Sequence, residues 1–314
     1  MTMMVIRRVL MSIVLIFVST LTIFVLMSLV PGDAAQTILG ENATPQAVEY
    51  LRQQLGLDQP LWIQYANWVV GLFRGDLGTS IYSGEPVTKL VWARMGVTFS
   101  LMVGSTVAIA VLGIVVGLAS ALREGWVGRS IDAISLVGFA LPSFWIAIVL
   151  VAVFAVGLRL FPATGYVPPA AGVGPWLNSL VLPVAALSLS GITVIAKQMR
   201  DSARKELERD YVRVLRSTGV SETRIVLLHV LRNASIPTTT LIGLMAVGAL
   251  SGAVFIENVF VLPGLGSLVT SAATRQDLPV ILGVGVAFTA IVILINLVVD
   301  VAYVSLNPKV RQSR

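Results

Sequence analysis

Six apolar stretches are each long enough to cross about 30 Å of hydrocarbon as a helix of roughly 20 residues, and nothing restricts the fold of this chain more. They fall near Val9–Val30, Val97–Leu122, Asp132–Gly157, Ser179–Ala196, Thr238–Ile256 and Val280–Val304. Of 314 residues 56% are hydrophobic and 12% charged, against roughly 25% charged in a soluble domain. The expected class is an all-α membrane protein with six transmembrane helices.

Lysine and arginine orient the spans, because they accumulate on the cytoplasmic side. Sixteen of the 22 basic residues fall in alternate loops and the two ends. Arg7 and Arg8 precede the first span, Arg123 and Arg129 join the second and third, and Lys309, Arg311 and Arg314 close the chain. The remaining nine lie in the loop before the fifth span. Both termini and that loop are therefore expected in the cytoplasm. The formal net charge of +6 reports topology rather than nucleic-acid binding. The first apolar run, about 22 residues, exceeds the 7–15 of a signal-peptide core and reads as a retained helix.

The span interiors lack chemistry. No ionisable side chain lies between Arg8 and Asp33 or between Val97 and Leu122, and the fifth span has none before Glu257. Proton-coupled carriers need intramembrane carboxylates or histidines as relays. A transporter of this composition must take its energy elsewhere or be a passive channel. Cysteine is absent and His229 is the single histidine, so neither a disulfide nor a self-contained metal site is expected. No GxxxxGK[ST] nucleotide loop occurs, and no catalytic residue is assigned. Small residues pepper the spans (Gly104, Gly113, Gly117, Gly243, Gly248, Gly252), and the Gly113–Gly117 GxxxG pair permits close helix approach, within the bundle or at a dimer face. Pro142 and Pro183 are expected to kink their spans.

The loop 197–237 is the informative one. Ala203, Leu207, Tyr211, Val214 and Leu215 form one apolar stripe on a helix otherwise covered with charge, and Glu206–Arg209 is an opposite-charge pair on it. Gly219 ends that helix, Ser221 is placed to cap a second through Ile225, Leu228 and Leu231, and Pro237 opens the next span. Physics alone leaves two readings open: a connector lying on lipid headgroups, or a protruding elbow for a soluble partner.

The segment Tyr211-Val-Arg-Val-Leu-Arg-Ser-Thr-Gly219, followed by His229-Val-Leu-Arg-Asn-Ala-Ser-Ile-Pro237, resembles the cytoplasmic loop of ATP-binding-cassette importer permeases. In that family the glycine elbow forms a coupling helix. More narrowly, the chain resembles the first permease subunit of the dipeptide/oligopeptide and nickel import family. Val30-Pro-Gly-Asp33, Gln54–Pro60, Gly75-Asp-Leu-Gly-Thr-Ser80, Glu257–Phe260, Pro263-Gly-Leu-Gly266, Arg275-Gln-Asp-Leu-Pro279 and Asn307-Pro308 match in order along nearly the whole length. The general motif's Glu-Ala-Ala would fall on Arg213-Val214-Leu215, a departure shared by the peptide-type version.

The resemblance implies a type I importer permease fold in three parts. These are a tail and first helix (1–30), an extracytoplasmic segment (31–96) and a five-helix core (97–314). It implies a second homologous permease, two ATPase subunits carrying ATP and Mg, and an external substrate-binding protein, with no cofactor on this chain. Arg213, Arg216, Ser217, Thr218, Gly219, Val220, Ser221, Glu222, Thr223 and Arg224 are the expected ATPase-coupling residues. The cargo expected is di- or oligopeptide, with nickel, haem or glutathione-type substrates as alternatives and a passive channel more distant.

The segment Pro31–Gly96 is about 66 residues, too long for a bare connector. Its aromatics are interfacial anchors or part of a docking surface, and its mixed charges suit transient association. Trp62, Tyr65, Asp76, Glu257, Pro263, Gly264, Gly266 and Arg275 are the candidates for binding-protein docking or an external gate.

Overall fold

A computed structural model describes residues 2–30, 32–40, 43–123, 130, 134, 138 and 140–306, without the side chains of 2–9 and 303–306. Pro31, Glu41, Arg129, Asp132 and the end of the chain (Asn307, Pro308, Lys309, Arg311, Arg314) lie outside the described residues. The described chain is helical throughout, relieved by loops and one antiparallel bridge between Thr79 and Pro86. Without water to satisfy backbone amides, helices are the expected way to cross hydrocarbon.

The helices are α1 (Thr2–Ser28), α2 (Ala34–Leu39), α3 (Pro45–Gln54), α4 (Leu61–Phe73), α5 (Val87–Ala121) and α6 (Ser143–Leu150). They continue with α7 (Val173–Leu207), α8 (Asp210–Ser217), α9 (Leu231–Val259), α10 (Leu265–Thr274) and α11 (Leu278–Leu306). Two stretches of wider π-helix extend these, Val151–Gly157 after α6 and Ile225–Val230 before α9. Five described helical runs are long and apolar enough to cross a membrane. The expected third span is represented by the shorter apolar run Ser143–Gly157, with positions 131–133, 135–137 and 139 lying outside the described residues.

Several boundaries differ from the sequence expectation. α5 begins at Val87 rather than near Val97, and α7 runs for 35 residues straight through Lys197. At 1.5 Å per residue α7 is about 52 Å long, well beyond the hydrocarbon thickness. The loop expected to start at Lys197 therefore opens as a continuation of the span. Pro237, expected to open the fifth span, lies inside α9. Pro142 interrupts the third span: Ala140 is helical, Pro142 stands in extended backbone (ψ 139°), and α6 begins at Ser143.

Two compact units divide the chain. The first comprises Met1–Thr98 with Pro263–Ile293. In it Gly285 receives Ile23 of α1, where an added Cβ would come within 2.5 Å of Cδ1. Gly283 receives Val87 in the same way, at 2.4 Å. Packing of α11 on the start of α5 is what draws residues 87–98 into this unit.

The second unit comprises Phe99–Leu262 with Leu294–Arg314. α7 is its central helix, with Leu182, Ala186, Ile195, Ala196 and Met199 all buried. The glycine pair on α5 is used for close approach within the chain. An added Cβ on Gly113 would lie 2.7 Å from Ile195 Cβ, and one on Gly117 would lie 2.4 Å from the Ala196 carbonyl. Gly191 of α7 reciprocates by accepting Ile109 at 2.6 Å.

Candidate functional site

In the second unit, α8 ends in a helix-terminating turn built on Gly219, whose φ is 81°. The Val220 N–H donates to the Leu215 carbonyl (3.1 Å) and the Gly219 N–H to the Arg216 carbonyl (3.1 Å). These two bonds, with a left-handed residue between them, are the Schellman arrangement. Val220 and Leu215, the residues whose side chains accompany it, both pack on one apolar cluster. That cluster unites Ala121 of α5, Met199 and Ala203 of α7, Val212 of α8, Ile225 and Val230 of the π-segment, and Ala234 of α9.

The turn is clipped from outside as well. Arg216 donates to both carboxylate oxygens of Glu222, Nε at 2.6 Å and Nη2 at 3.2 Å, bridging the glycine. This hydrogen bond, aided by the charge of Arg216, holds the Glu222 carboxyl below the usual carboxylate range. Arg213 pairs with Asp210 at 3.2 Å, both strongly exposed. Ser217 and Thr218 return their hydroxyls to the Val214 carbonyl, and Thr218 also reaches that of Leu215. Arg213, Arg216–Gly219 and Ser221–Arg224 are exposed while Val220 turns inward. The ten expected coupling residues thus form one continuous elbow.

Three local expectations change. A single helix over 203–215 is broken, because Arg209 is extended (ψ 150°) and α8 restarts at Asp210. The stripe survives in part: Ala203, Leu207, Tyr211 and Leu215 meet the cluster, but Val214 is 59% exposed and Val212 takes the buried place. Ser221 stands at the N-cap of the one-turn helix Glu222–Arg224 without a side-chain capping bond, its carbonyl alone accepting from Ile225.

At the base of the elbow lies a polar group that sequence reasoning missed. Glu206 was legible as the partner of Arg209, and that pair forms at 3.1 Å. Its burial was not legible: Glu206 is 7% exposed. Tyr211 donates its hydroxyl to the same carboxylate (3.0 Å), and Asn233 donates its amide to it (3.3 Å). Burial above all pushes the Tyr211 phenol above its usual range; Glu206 adds to this and the Asn233 hydrogen bond opposes it. The signal available was a glutamate four residues after Ser202 on the inward face set by Ala203, but charge alone argued for solvent.

The second set of candidates divides. Trp62 is 75% exposed on α4. Tyr65 is not a surface residue of that kind: its hydroxyl meets Thr20 (3.0 Å) and its ring packs on Phe24 and Trp68. The Asp76 carboxylate accepts the Gly78 N–H at 2.8 Å, shaping the turn that precedes Ser80. Glu257 is fully buried in α9 (0% exposed), because it faces the core rather than solvent. Pro263 is exposed, whereas Gly264 and Gly266 are buried, Gly266 inside α10. Arg275 lies over the Tyr82 ring, 4.1 Å from its centre.

Separate motifs meet within the first unit. Buried Asp277 accepts the Ser80 hydroxyl and, at 3.1 Å, the Ile81 N–H. Gly32 has no room for a Cβ because the Gln276 side chain lies on it. Asp33 caps α2 and pairs with Arg52. Gly32, Gly78–Ser80 and Gln276–Pro279, from three separate motifs, are thus brought together. Among the described residues no group of three His, Cys, Asp or Glu side chains is placed to hold a metal ion.

Long apolar helices and a rigid, polar elbow rooted in three of them define a multi-helix membrane permease. Residues 109–312 match the family described as binding-protein-dependent transport system inner membrane component, and residues 1–102 match its N-terminal component. The chain belongs to this family. A provisionally named peptide transport system permease protein of Brucella abortus (strain 2308) is 38% identical over 312 residues, covering 99% of each chain. A provisionally named peptide ABC transporter permease of Sinorhizobium fredii is 36% identical over 98% of each chain. A D,D-dipeptide transport system permease protein of Escherichia coli K12, also provisionally named, is 33% identical over 91% of each.

Proposed function

We propose that this chain is one of two homologous permease subunits of an ATP-driven importer for di- or oligopeptides. It lies in the inner membrane of a prokaryote with both termini in the cytoplasm. An external binding protein delivers the peptide, and two partner ATPases hold the ATP and Mg. The observation that carries the reading is the elbow itself. A turn that is locked by backbone hydrogen bonds, clipped by Arg216–Glu222 and rooted in a cluster shared by α5, α7 and α9 behaves as a lever rather than a loop.

Its exposed apolar residues Val214, Leu227 and Leu228 and its exposed arginines suit a cleft in a soluble partner. When nucleotide closes the ATPase pair, the elbow moves with its host and the attached spans rock as rigid bodies. The peptide passes between the two permeases. Arg213 and Arg216 are each occupied by a carboxylate of this chain. Contacts to acidic ATPase residues would therefore be made by sharing these arginines. Peptide is preferred over nickel, haem or glutathione-type cargo because the similar chains carry peptide names. Family membership leaves no role for a passive channel.

Co-purification from cells expressing the neighbouring subunits tests the reading. A four-subunit core whose ATPase rises with loaded binding protein and a peptide mixture is expected. A homo-oligomer without an ATPase would contradict it.

A further inference from the structure

Apolar packing alone would hold the elbow against the bundle, yet its root contains a carboxylate withdrawn from water. Glu206, in the last turn of α7, is 7% exposed, and taking a charge out of solvent is costly unless partners replace the water. The partners here come from two other elements. One carboxylate oxygen accepts from Tyr211 of α8 (3.0 Å) and Asn233 of α9 (3.3 Å), and the other meets Arg209 Nε (3.1 Å). The Asn233 amide also reaches the Tyr211 oxygen at 3.3 Å, closing a three-way junction.

The covalent path between α7 and α8 is the short break at 208–209, with Arg209 extended. Apolar contacts are non-directional. Val212 and Leu215 therefore keep α8 on the cluster without by themselves fixing its rotation about its own axis. Hydrogen bonds are directional, so one acceptor bonded to two helices fixes the angle of both. Asn233 lies on α9, a helix continuous with the fifth span.

We propose that Glu206, Tyr211 and Asn233 are positioning residues that lock the elbow to the two spans it joins, so that a push on the elbow reaches α7 and α9 instead of being absorbed by rotation of α8. This rests on the reading of the chain as an ATP-driven permease subunit.

The test uses the complete complex in liposomes, with its ATPases, second permease and binding protein, and a mixture of di- and tripeptides as probe. Peptide accumulated per ATP hydrolysed is the readout. Tyr211→Phe and Asn233→Ala are expected to keep assembly and basal hydrolysis while lowering that ratio about tenfold, the scale of one hydrogen bond to a charge. The double variant should be no worse than the poorer single, because both act through one junction. Lys197→Ala, which removes an exposed pair with Asp201 on the same helix, should leave the ratio unchanged. A wild-type ratio in both single variants would overturn the proposal. So would a proportional loss of assembly, hydrolysis and transport, which marks a merely structural role. A wild-type complex that hydrolyses no ATP would overturn the importer reading and this inference with it.

Discussion

At Gly219 the backbone sits at φ 81°, and no atom lies within 4 Å of where a Cβ would be. Space is therefore not what demands glycine; the left-handed conformation is, at about 1 kcal/mol for an L-residue. Gly219→Ala should lower the thermal stability of the purified chain by about that amount without changing packing. The Arg216–Glu222 clip makes a second residue-scale prediction. Glu222 is held below its unfolded value, so its contribution is present above the ordinary carboxylate pKa of about 4.3 and is lost as pH falls through the folded value. A spin label at Thr218→Cys should keep constant mobility from neutral pH down to the carboxylate range and loosen below it. Glu222→Gln should be loose at every pH. Gly219, Ser221 and the Glu206–Arg209 pair were legible because turn and charge chemistry is local. Burial of Glu206 and Glu257 was not, since it depends on what other helices bring.

On the scale of elements, five of the expected spans appear as long apolar helices because apolar length is a strong signal, but their ends were not legible. α5 and α7 continue far past hydrocarbon length because packing against neighbouring helices, not lipid, sustains the extra turns. The break at 208–209 was hidden because the apolar spacing runs on across it. Close approach between α5 and α7 predicts opposite outcomes for two glycines. Gly117→Ala places a methyl against the Ala196 carbonyl and Met199 and should destabilise by about 1–3 kcal/mol. Gly248→Ala in α9 meets nothing within 4 Å. It should be neutral or stabilise by up to about 1 kcal/mol through helix propensity. Thermal unfolding in detergent of both variants, side by side, checks the contrast. The contacts around Asp277 show the limit of motif reading: the tetrapeptides were recognisable one by one, while their assembly required the fold.

At the scale of the whole molecule, the proposed permease takes its energy through one rigid elbow. The absence of cysteine makes this directly testable, since a single introduced thiol is the only one on the chain. The measurement is photo-cross-linking in the assembled complex from a thiol-reactive benzophenone attached at Thr218→Cys. A covalent product with an ATPase subunit is expected, formed from the cytoplasmic side and altered by nucleotide. Trp62→Cys on α4 should give none. A Thr218→Cys thiol that reacts with reagents from outside the cell, or that captures lipid but no ATPase, would contradict it.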